Sequence, residues 1–295
     1  MRLGVDFGGT KIEAAALDSK GGILARQRAP NPGNYPEALA AVAALTGRIE
    51  QETGARAETI GVAMPGSLSP VTGRVRNANS VWLNGEPFLE DLKQALARPV
   101  RIENDANCFA LSEAVDGAAA GARVVFGVIL GTGCGGGIVV DGRTVEGVNG
   151  IGGEWGHSPL PWPRENEKPV RDWCGRWNCL EQWISGTGFK RWFGMSASEA
   201  DERAQAGDPT ALAALDLYAD RVARSLAMVI DILDPDVIVL GGGVSNVASL
   251  YPSVRGKLIA HVFSDVLNTR LVKNMHGDSS GVRGAAWLFR PEEAR

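Results

Sequence analysis

The 295-residue chain holds only four cysteines and three histidines. That is too few for a disulfide scaffold, and it suits a reducing compartment, where clustered cysteines more often bind metal. Long apolar runs are also missing: stretches such as VVFGVIL (124–130) fall well short of the roughly 20 residues a membrane helix requires. No basic excess exists, because 30 Lys and Arg face 34 Asp and Glu for a net charge of −4. That balance argues against a nucleic-acid partner, whose footprint is a strongly basic face. The start, MRLGVDFGGT, lacks a signal-peptide profile because Asp6 and the glycines interrupt any apolar core, so a cytoplasmic protein is expected. No G-x-x-x-x-G-K-[ST] stretch occurs, which excludes a P-loop.

What is present is an alternation of strands and helices, an α/β pattern. Strands are predicted at Leu3–Phe7, Ile12–Leu17, Thr59–Ala63, Val100–Glu103, Val124–Leu130, Ile138–Val140 and Asp236–Leu240. Two long helices are predicted. Tyr35–Thr53 carries Leu39, Val42, Leu45 and Ile49 on one face, and Pro209–Leu233 carries Leu212, Leu215, Val222, Leu226, Val229 and Leu233. PWPRENEKP (161–169) is the most loop-like stretch. LGVDFGGTKIEAAALDSKGG and GVILGTGCGGGIVVDGRT share one plan of apolar strand, Gly/Thr turn, apolar strand and polar turn. A duplicated α/β domain is one explanation, although Gly-rich turns between strands are common.

Three Gly-rich turns follow strands: Gly8-Gly9-Thr10, Gly131-Thr132-Gly133 and Gly241-Gly242-Gly243. Glycines there let backbone N–H groups approach phosphate oxygens with no Cβ in the way, and Thr10, Thr132 and Lys11 could add donors. GTGCGGG contains a formal G-x-G-x-x-G, but that fingerprint must open a helix, and a β-branched strand follows instead. Any one of these turns alone would be read as a plain hairpin. The three together are harder to dismiss.

With these turns in place, the chain resembles the ROK family of bacterial sugar kinases, within the actin-like ATPase superfamily. The resemblance runs almost end to end, through DFGGTK (6–11), NDANCFALSEA (104–114), ILGTGCGGGI (129–138), GEWGH (153–157), CGRWNCLE (174–181), LDPDVIVLGGGVSN (233–246) and HGDSSGVRGAAWLF (276–289). It implies two actin-like (ribonuclease H-like) α/β domains hinged around an interdomain cleft where ATP and sugar meet. The expected division is 1–120 and 121–295, with the C-terminal helix free to return to the first domain.

Phosphoryl transfer to a hydroxyl needs a carboxylate to take the proton and a metal to neutralise charge. The resemblance implies that Asp105 is this base. The local sequence would equally support an Asx cap on the helix that Ala106 begins. Asp6 looks like the family's acidic residue near Mg·ATP, with Gly8, Gly9, Thr10, Lys11, Gly131, Thr132, Gly133, Gly241, Gly242 and Gly243 around the nucleotide. By the same resemblance Gly66, Asn79, Asn104, Asp105, Glu154, His157 and Glu181 line the sugar site. Trp82, Trp155, Trp162, Trp173, Trp177 and Trp183 crowd these motifs, some to stack on sugar faces and most to pack.

In the family a structural zinc is held by the histidine of E-x-G-H and three cysteines of C-x-C-G-x-x-G-C-x-E. On this chain these positions are His157, Asp172, Cys174 and Cys179, with Asn178 where the family has its second glycine. A carboxylate therefore stands at one thiolate position. Zinc accepts carboxylate oxygen at similar distances, so Asp172 is taken as the fourth ligand; a three-ligand site completed by water and a loop without metal remain open. Cys108 and Cys134 read as buried small residues.

NANSVWLNGEPF (77–88) and EWGHSPLPW (154–162) look most like bacterial fructokinases, which implies ATP-dependent phosphorylation of D-fructose at its 6-hydroxyl. N-acetylglucosamine kinases, sharing NDANCFALSEA and the C-terminal motif, are the alternative, along with broader glucose or mannose kinases. A sugar-responsive regulator of the same family would need a DNA-binding helix-turn-helix, for which a first strand at Leu3 leaves no room. A filament-forming protein would not need the E-x-G-H and cysteine motifs. A homodimer is the default assembly.

Overall fold

A computed structural model of the chain describes residues 1–290. Twelve strands alternate with nine α-helices in these residues. In chain order the first are β1 (Arg2–Phe7), β2 (Lys11–Leu17), β3 (Ile23–Pro30), α1 (Tyr35–Thr53), β4 (Ile60–Met64), β5 (Ser67–Leu68), β6 (Val75–Arg76), α2 (Phe88–Leu96), β7 (Val100–Asn104) and α3 (Asp105–Val115). Then come β8 (Val124–Leu130), β9 (Cys134–Val140), β10 (Arg143–Thr144), α4 (Glu181–Ile184), α5 (Gly186–Phe193), α6 (Ala197–Gln205), α7 (Pro209–Leu233), β11 (Val237–Gly241), α8 (Leu250–Leu258), β12 (Arg270–Lys273) and α9 (Ser280–Trp287).

Two five-stranded sheets have the orders β3-β2-β1-β4-β7 and β10-β9-β8-β11-β12. Renumbered within each sheet, both read 3-2-1-4-5, so the similarity between the two Gly-turn segments extends to a repeated topology. In the first sheet β1–β2 and β2–β3 are antiparallel hairpin pairs, and β1–β4 and β4–β7 are parallel. Parallel pairs demand crossovers, which α1 and the segment carrying α2 supply. The chain forms two compact units. One comprises Met1–Gly121, Gly137–Gly152 and the described residues from Asp278 onward; the other comprises Ala122–Gly136 and Gly153–Gly277. The chain thus crosses between the units four times, once within β9, where the expectation was a boundary near 120 and a C-terminal helix free to return to the first domain.

Local chemistry sets the long helices. Asn34 caps α1 by accepting from the Glu37 N–H, Pro36 sits in the first turn, and Gly54 ends it in the left-handed region at φ 64°. Its buried face is Ala38, Val42, Leu45, Thr46 and Ile49. Asp208 caps α7, Pro209 opens it, and Asp234 ends it at φ 47°. The buried face of α7 begins with Ala211, Ala214 and Tyr218, whereas Leu212 is 51% exposed. Counting leucines misplaces the start of that stripe, because small alanines are what allow close approach there.

In the first unit the sheet has helices on both faces. Leu3, Val5, Phe7, Ile12, Val62 and Met64 join α1 and α2 residues in one core. On the other face α9 lies against β1, β4 and α3. That approach is close: a Cβ on Gly284 would sit 1.8 Å from the Cys108 carbonyl oxygen, and one on Gly61 1.8 Å from that of Ala285. In the second unit α7 packs against α6 and α8. The irregular 161–169 stretch is anchored rather than loose. Its Glu167, 3% exposed, accepts from Arg221 at 2.9 Å and Arg224 at 2.7 Å, both on α7, and Arg221 also lies over the Trp183 and Trp192 rings.

Candidate functional site

In the first unit, three adjacent parallel strands end at one edge of the sheet. β1 delivers Asp6, β4 runs into Pro65-Gly66, and β7 into Asn104-Asp105, with Asp6 paired to Ala63 and Met64 to Asn104. Side groups at the carboxyl ends of parallel strands sit where open α/β sheets bind ligands. Asn104 caps α3, its Oδ1 accepting from the Ala106 N–H at 2.8 Å, and its Nδ2 donates to the Gly66 carbonyl at 3.0 Å. It therefore ties the Gly66 turn to the helix start. Gly66 has φ +79°, and a Cβ there would meet the Arg76 oxygen at 2.4 Å, so only glycine fits.

Asp105 is exposed at the first position of α3 and also accepts from the Ala106 N–H, at 2.8 Å. The helix cap that the local sequence allowed at Asp105 falls one residue earlier, on Asn104, and leaves Asp105 as the first residue of α3 with its carboxylate exposed. Half-buried Asp6 has its pKa raised to about 7, by burial first, then by the charges of Asp105 and Glu13. Two carboxylates held this way favour a cation nearby. Gly8, Gly9 and Thr10 form the β1–β2 turn, Lys11 begins β2, and Asn31 Nδ2 donates to the Gly8 carbonyl at 2.7 Å. Asn79 is exposed, two residues before a short 3-10 turn at Val81–Leu83.

In the second unit β8 and β11 are parallel neighbours, so the turns after them lie at one sheet edge. Gly131, Thr132 and Gly133 form the β8–β9 turn, and β9 follows it directly as a strand, with no helix. Gly241 ends β11. Gly242, at φ +79°, faces the Leu130 carbonyl, which a Cβ would meet at 2.5 Å; Gly243 opens a 3-10 turn. Glu154 is exposed and precedes the 3-10 turn Trp155–His157. Trp155 is buried edge-on against Phe126 and donates to the Gly135 carbonyl at 3.0 Å. Glu181 starts α4, and its Oε2 accepts from the Cys134 N–H at 3.0 Å. Of the tryptophans singled out above, Trp155 and Trp183 are buried, Trp82 is half-buried, and Trp162, Trp173 and Trp177 are exposed.

His157, Asp172, Cys174 and Cys179 each offer one ligand atom, all within 4.8 Å of one another. The Cys174 and Cys179 sulfurs are 3.7 Å apart, and His157 Nδ1 is 3.3 Å from Asp172 Oδ2. Tetrahedral zinc, with bonds of about 2.3 Å to sulfur and about 2.1 Å to nitrogen or oxygen, spaces such pairs by about 3.8 and 3.4 Å. His157 Nδ1 is buried without a hydrogen-bond partner, as an imidazole nitrogen awaiting a metal would be. Burial, then the neighbouring Cys174 and Asp172, push the Cys179 thiol up to about 12, so its thiolate needs a cation beside it. The donor set fits the metal.

The loop's departures from the family pattern have physical accommodations. Asp172 is 3% exposed; Gln182 Nε2 donates to its Oδ1, leaving Oδ2 toward the cluster. Asn178 takes φ +66°, a conformation open to Asn as well as Gly, and its Oδ1 accepts from Trp183 Nε1 at 2.8 Å. Sequence reasoning did not identify Gln182, nor the bond from Trp173 Nε1 to Glu181 Oε1 at 2.7 Å. Both depend on how the loop folds back on α4, for which no spacing rule exists.

The ROK family model matches residues 2–292. N-acetyl-D-glucosamine kinase of Pectobacterium atrosepticum is 38% identical over 98% of this chain and 98% of its own. The protein of that name from Aliivibrio salmonicida is 37% identical over 98% and 99%. Among solved structures, a ROK hexokinase from Thermus thermophilus is 33% identical, covers 97% of both chains and superposes with a TM-score of 0.85. A ROK glucokinase from Streptomyces griseus, in complex with glucose and AMPPNP, is 27% identical with a TM-score of 0.77 over 97% of this chain and 98% of its own. A family match over nearly every residue and a repeated 3-2-1-4-5 sheet leave one conclusion: the chain belongs to the ROK family of sugar kinases, with the two-domain actin-like ATPase fold.

Proposed function

We propose that this chain is an ATP-dependent N-acetyl-D-glucosamine kinase, transferring the γ-phosphoryl group to the sugar's 6-hydroxyl. The observation that carries this reading is similarity along the whole chain to kinases of that name, at 37–38% identity. The fructose expectation rested on two short stretches, 77–88 and 154–162, and relatives matched over the full length outweigh it. Asp105 is the general base, exposed at a strand–helix junction where a sugar hydroxyl can reach it. Asn104, Asn79, Gly66, Glu154, His157 and Glu181 are the sugar-binding groups. The turns at Gly8–Lys11, Gly131–Gly133 and Gly241–Gly243 hold the phosphates and nucleotide. Magnesium near Asp6 would neutralise charge on the transferring phosphoryl group.

A coupled ADP-release assay on a hexose panel tests this. N-acetylglucosamine is expected to give the highest kcat/KM, at least tenfold above fructose, mannose and glucose. A higher value for fructose would restore the fructokinase reading, and no turnover on any hexose would end the kinase reading.

For the loop we propose a structural zinc on His157, Asp172, Cys174 and Cys179. The supporting observation is the spacing of the sulfur pair and of the nitrogen–oxygen pair. Bound metal would hold the loop and orient the His157 ring. Purified protein should carry about one zinc per chain, and Asp172→Ala should lose most of it. Zinc-free wild-type protein, prepared without chelator, would refute the assignment.

A further inference from the structure

Trp173 has the features of neither a core residue nor a solvated one. Its side chain is 71% exposed, yet both its polar atom and its ring are engaged. The indole N–H donates to Glu181 Oε1 at 2.7 Å, and the ring stands edge-on to His157 at 5.3 Å. The other Glu181 oxygen accepts from the Cys134 N–H, at the end of the Gly131–Gly133 turn. That turn is shaped for the carboxylate: a Cβ on Gly133 would lie 2.6 Å from Glu181 Oε2. Glu181 is thus held at one oxygen by the backbone and at the other by a single side chain.

That side chain sits between Asp172 and Cys174, two members of the metal-ligand cluster. Whatever fixes the backbone at 172 and 174 therefore fixes where the indole N–H points. A hydrogen bond to a carboxylate is stronger than one between neutral groups, and a planar indole has few rotamers to lose in making it. We infer that Trp173 is a positioning residue that holds the Glu181 carboxylate for the hexose and links its orientation to the metal-ligand loop. The inference rests on the proposal that Glu181 contacts the sugar.

The test is a double-mutant cycle on hexose KM, with Trp173→Phe retaining a ring without the donor. Trp173→Phe should raise hexose KM about tenfold, the effect of one modest hydrogen bond, and leave kcat within about twofold. In a Glu181→Ala background the same change should do nothing further, since its effect runs through Glu181. Trp177→Phe, an exposed tryptophan of the same loop, should be silent. A second readout needs no turnover. The Trp173 indole N–H resonance, assigned by its loss in Trp173→Phe, should move in Glu181→Ala and on chelation of metal from the wild type. An unchanged KM in Trp173→Phe with an active wild type, an equal rise in the Glu181→Ala background, or an indole resonance indifferent to Glu181→Ala would each overturn the inference alone. A wild type without turnover on any hexose would remove the kinase reading, and this assignment with it.

Discussion

Asp105 and Glu103 are two residues apart and chemically opposite in situation. Asp105 is exposed where β7 gives way to α3, so Asp105→Asn removes the proposed base while an amide can still accept from Ala106. The expected outcome is a loss of kcat of about 10²- to 10⁴-fold with an unchanged melting temperature. Retained turnover in that variant would assign the proton to another group. Glu103 is 7% exposed, its Oε1 accepting from the Asn104 N–H at 2.8 Å and Asn107 Nδ2 at 3.0 Å. Burial, reinforced by the charge of Glu146 and opposed by the Asn107 hydrogen bond, raises its pKa to about 7. The folded chain then keeps this proton to a higher pH than the unfolded chain does. Stability falls as pH rises from about 4.5 through about 7, by up to roughly 3 kcal/mol. Glu103→Gln carries no charge and should escape that loss. Urea midpoints at pH 5 and pH 8 should therefore shift in the variant's favour at the higher pH, and parallel profiles would refute the account.

Among the elements, the irregular 161–169 stretch and α7 show how polar burial can fasten a loop. Glu167 neutralises Arg221 and Arg224, and Asp220 pairs with Arg224 at 3.0 Å and Arg164 at 2.5 Å. Replacing Glu167 with Ala leaves two buried guanidinium groups short of a carboxylate. Calorimetric or urea unfolding of Glu167→Ala should record a loss of about 3–5 kcal/mol. A loss below about 1 kcal/mol would mean that water reaches the arginines. The composition of PWPRENEKP reads as a solvated loop because proline and charge are surface signals, and charge pairing over more than 50 residues leaves no local pattern. The strands are more legible. Val124–Leu130 is predicted to the residue, and β1, β2, β4, β7 and β11 to within one residue at each end, since each is a short apolar run bounded by turn residues. β9 was half hidden, because Gly135, Gly136 and Gly137 give no alternation to read. β3 is an edge strand carrying Arg26, Gln27 and Arg28, and its chemistry is likewise unlike a core strand's.

For the whole molecule, hexose binding and folding are linked. N-acetylglucosamine at about 100 times its Kd should stabilise the folded chain by about 2.7 kcal/mol, read as a rise in thermal midpoint that an unrelated pentose does not produce. The absence of any shift would count against a sugar site in the free enzyme. Light scattering should give the mass of a homodimer if the default assembly holds.

Fold class, the Gly-rich turns, both long helices and the four members of the metal-ligand cluster were readable in the chain. The helices and turns are encoded locally, as an apolar period, a cap or a run of glycines, whereas the four cluster positions were named through the resemblance to the family's motif. Other features exist only in the folded chain. They include the loop anchored by Glu167, the interleaved units, the Asn104–Gly66 tie, and the two hydrogen bonds that orient the Glu181 carboxylate. These join residues distant in sequence or depend on the path of an irregular loop, and no local propensity records which donor a carboxylate will meet.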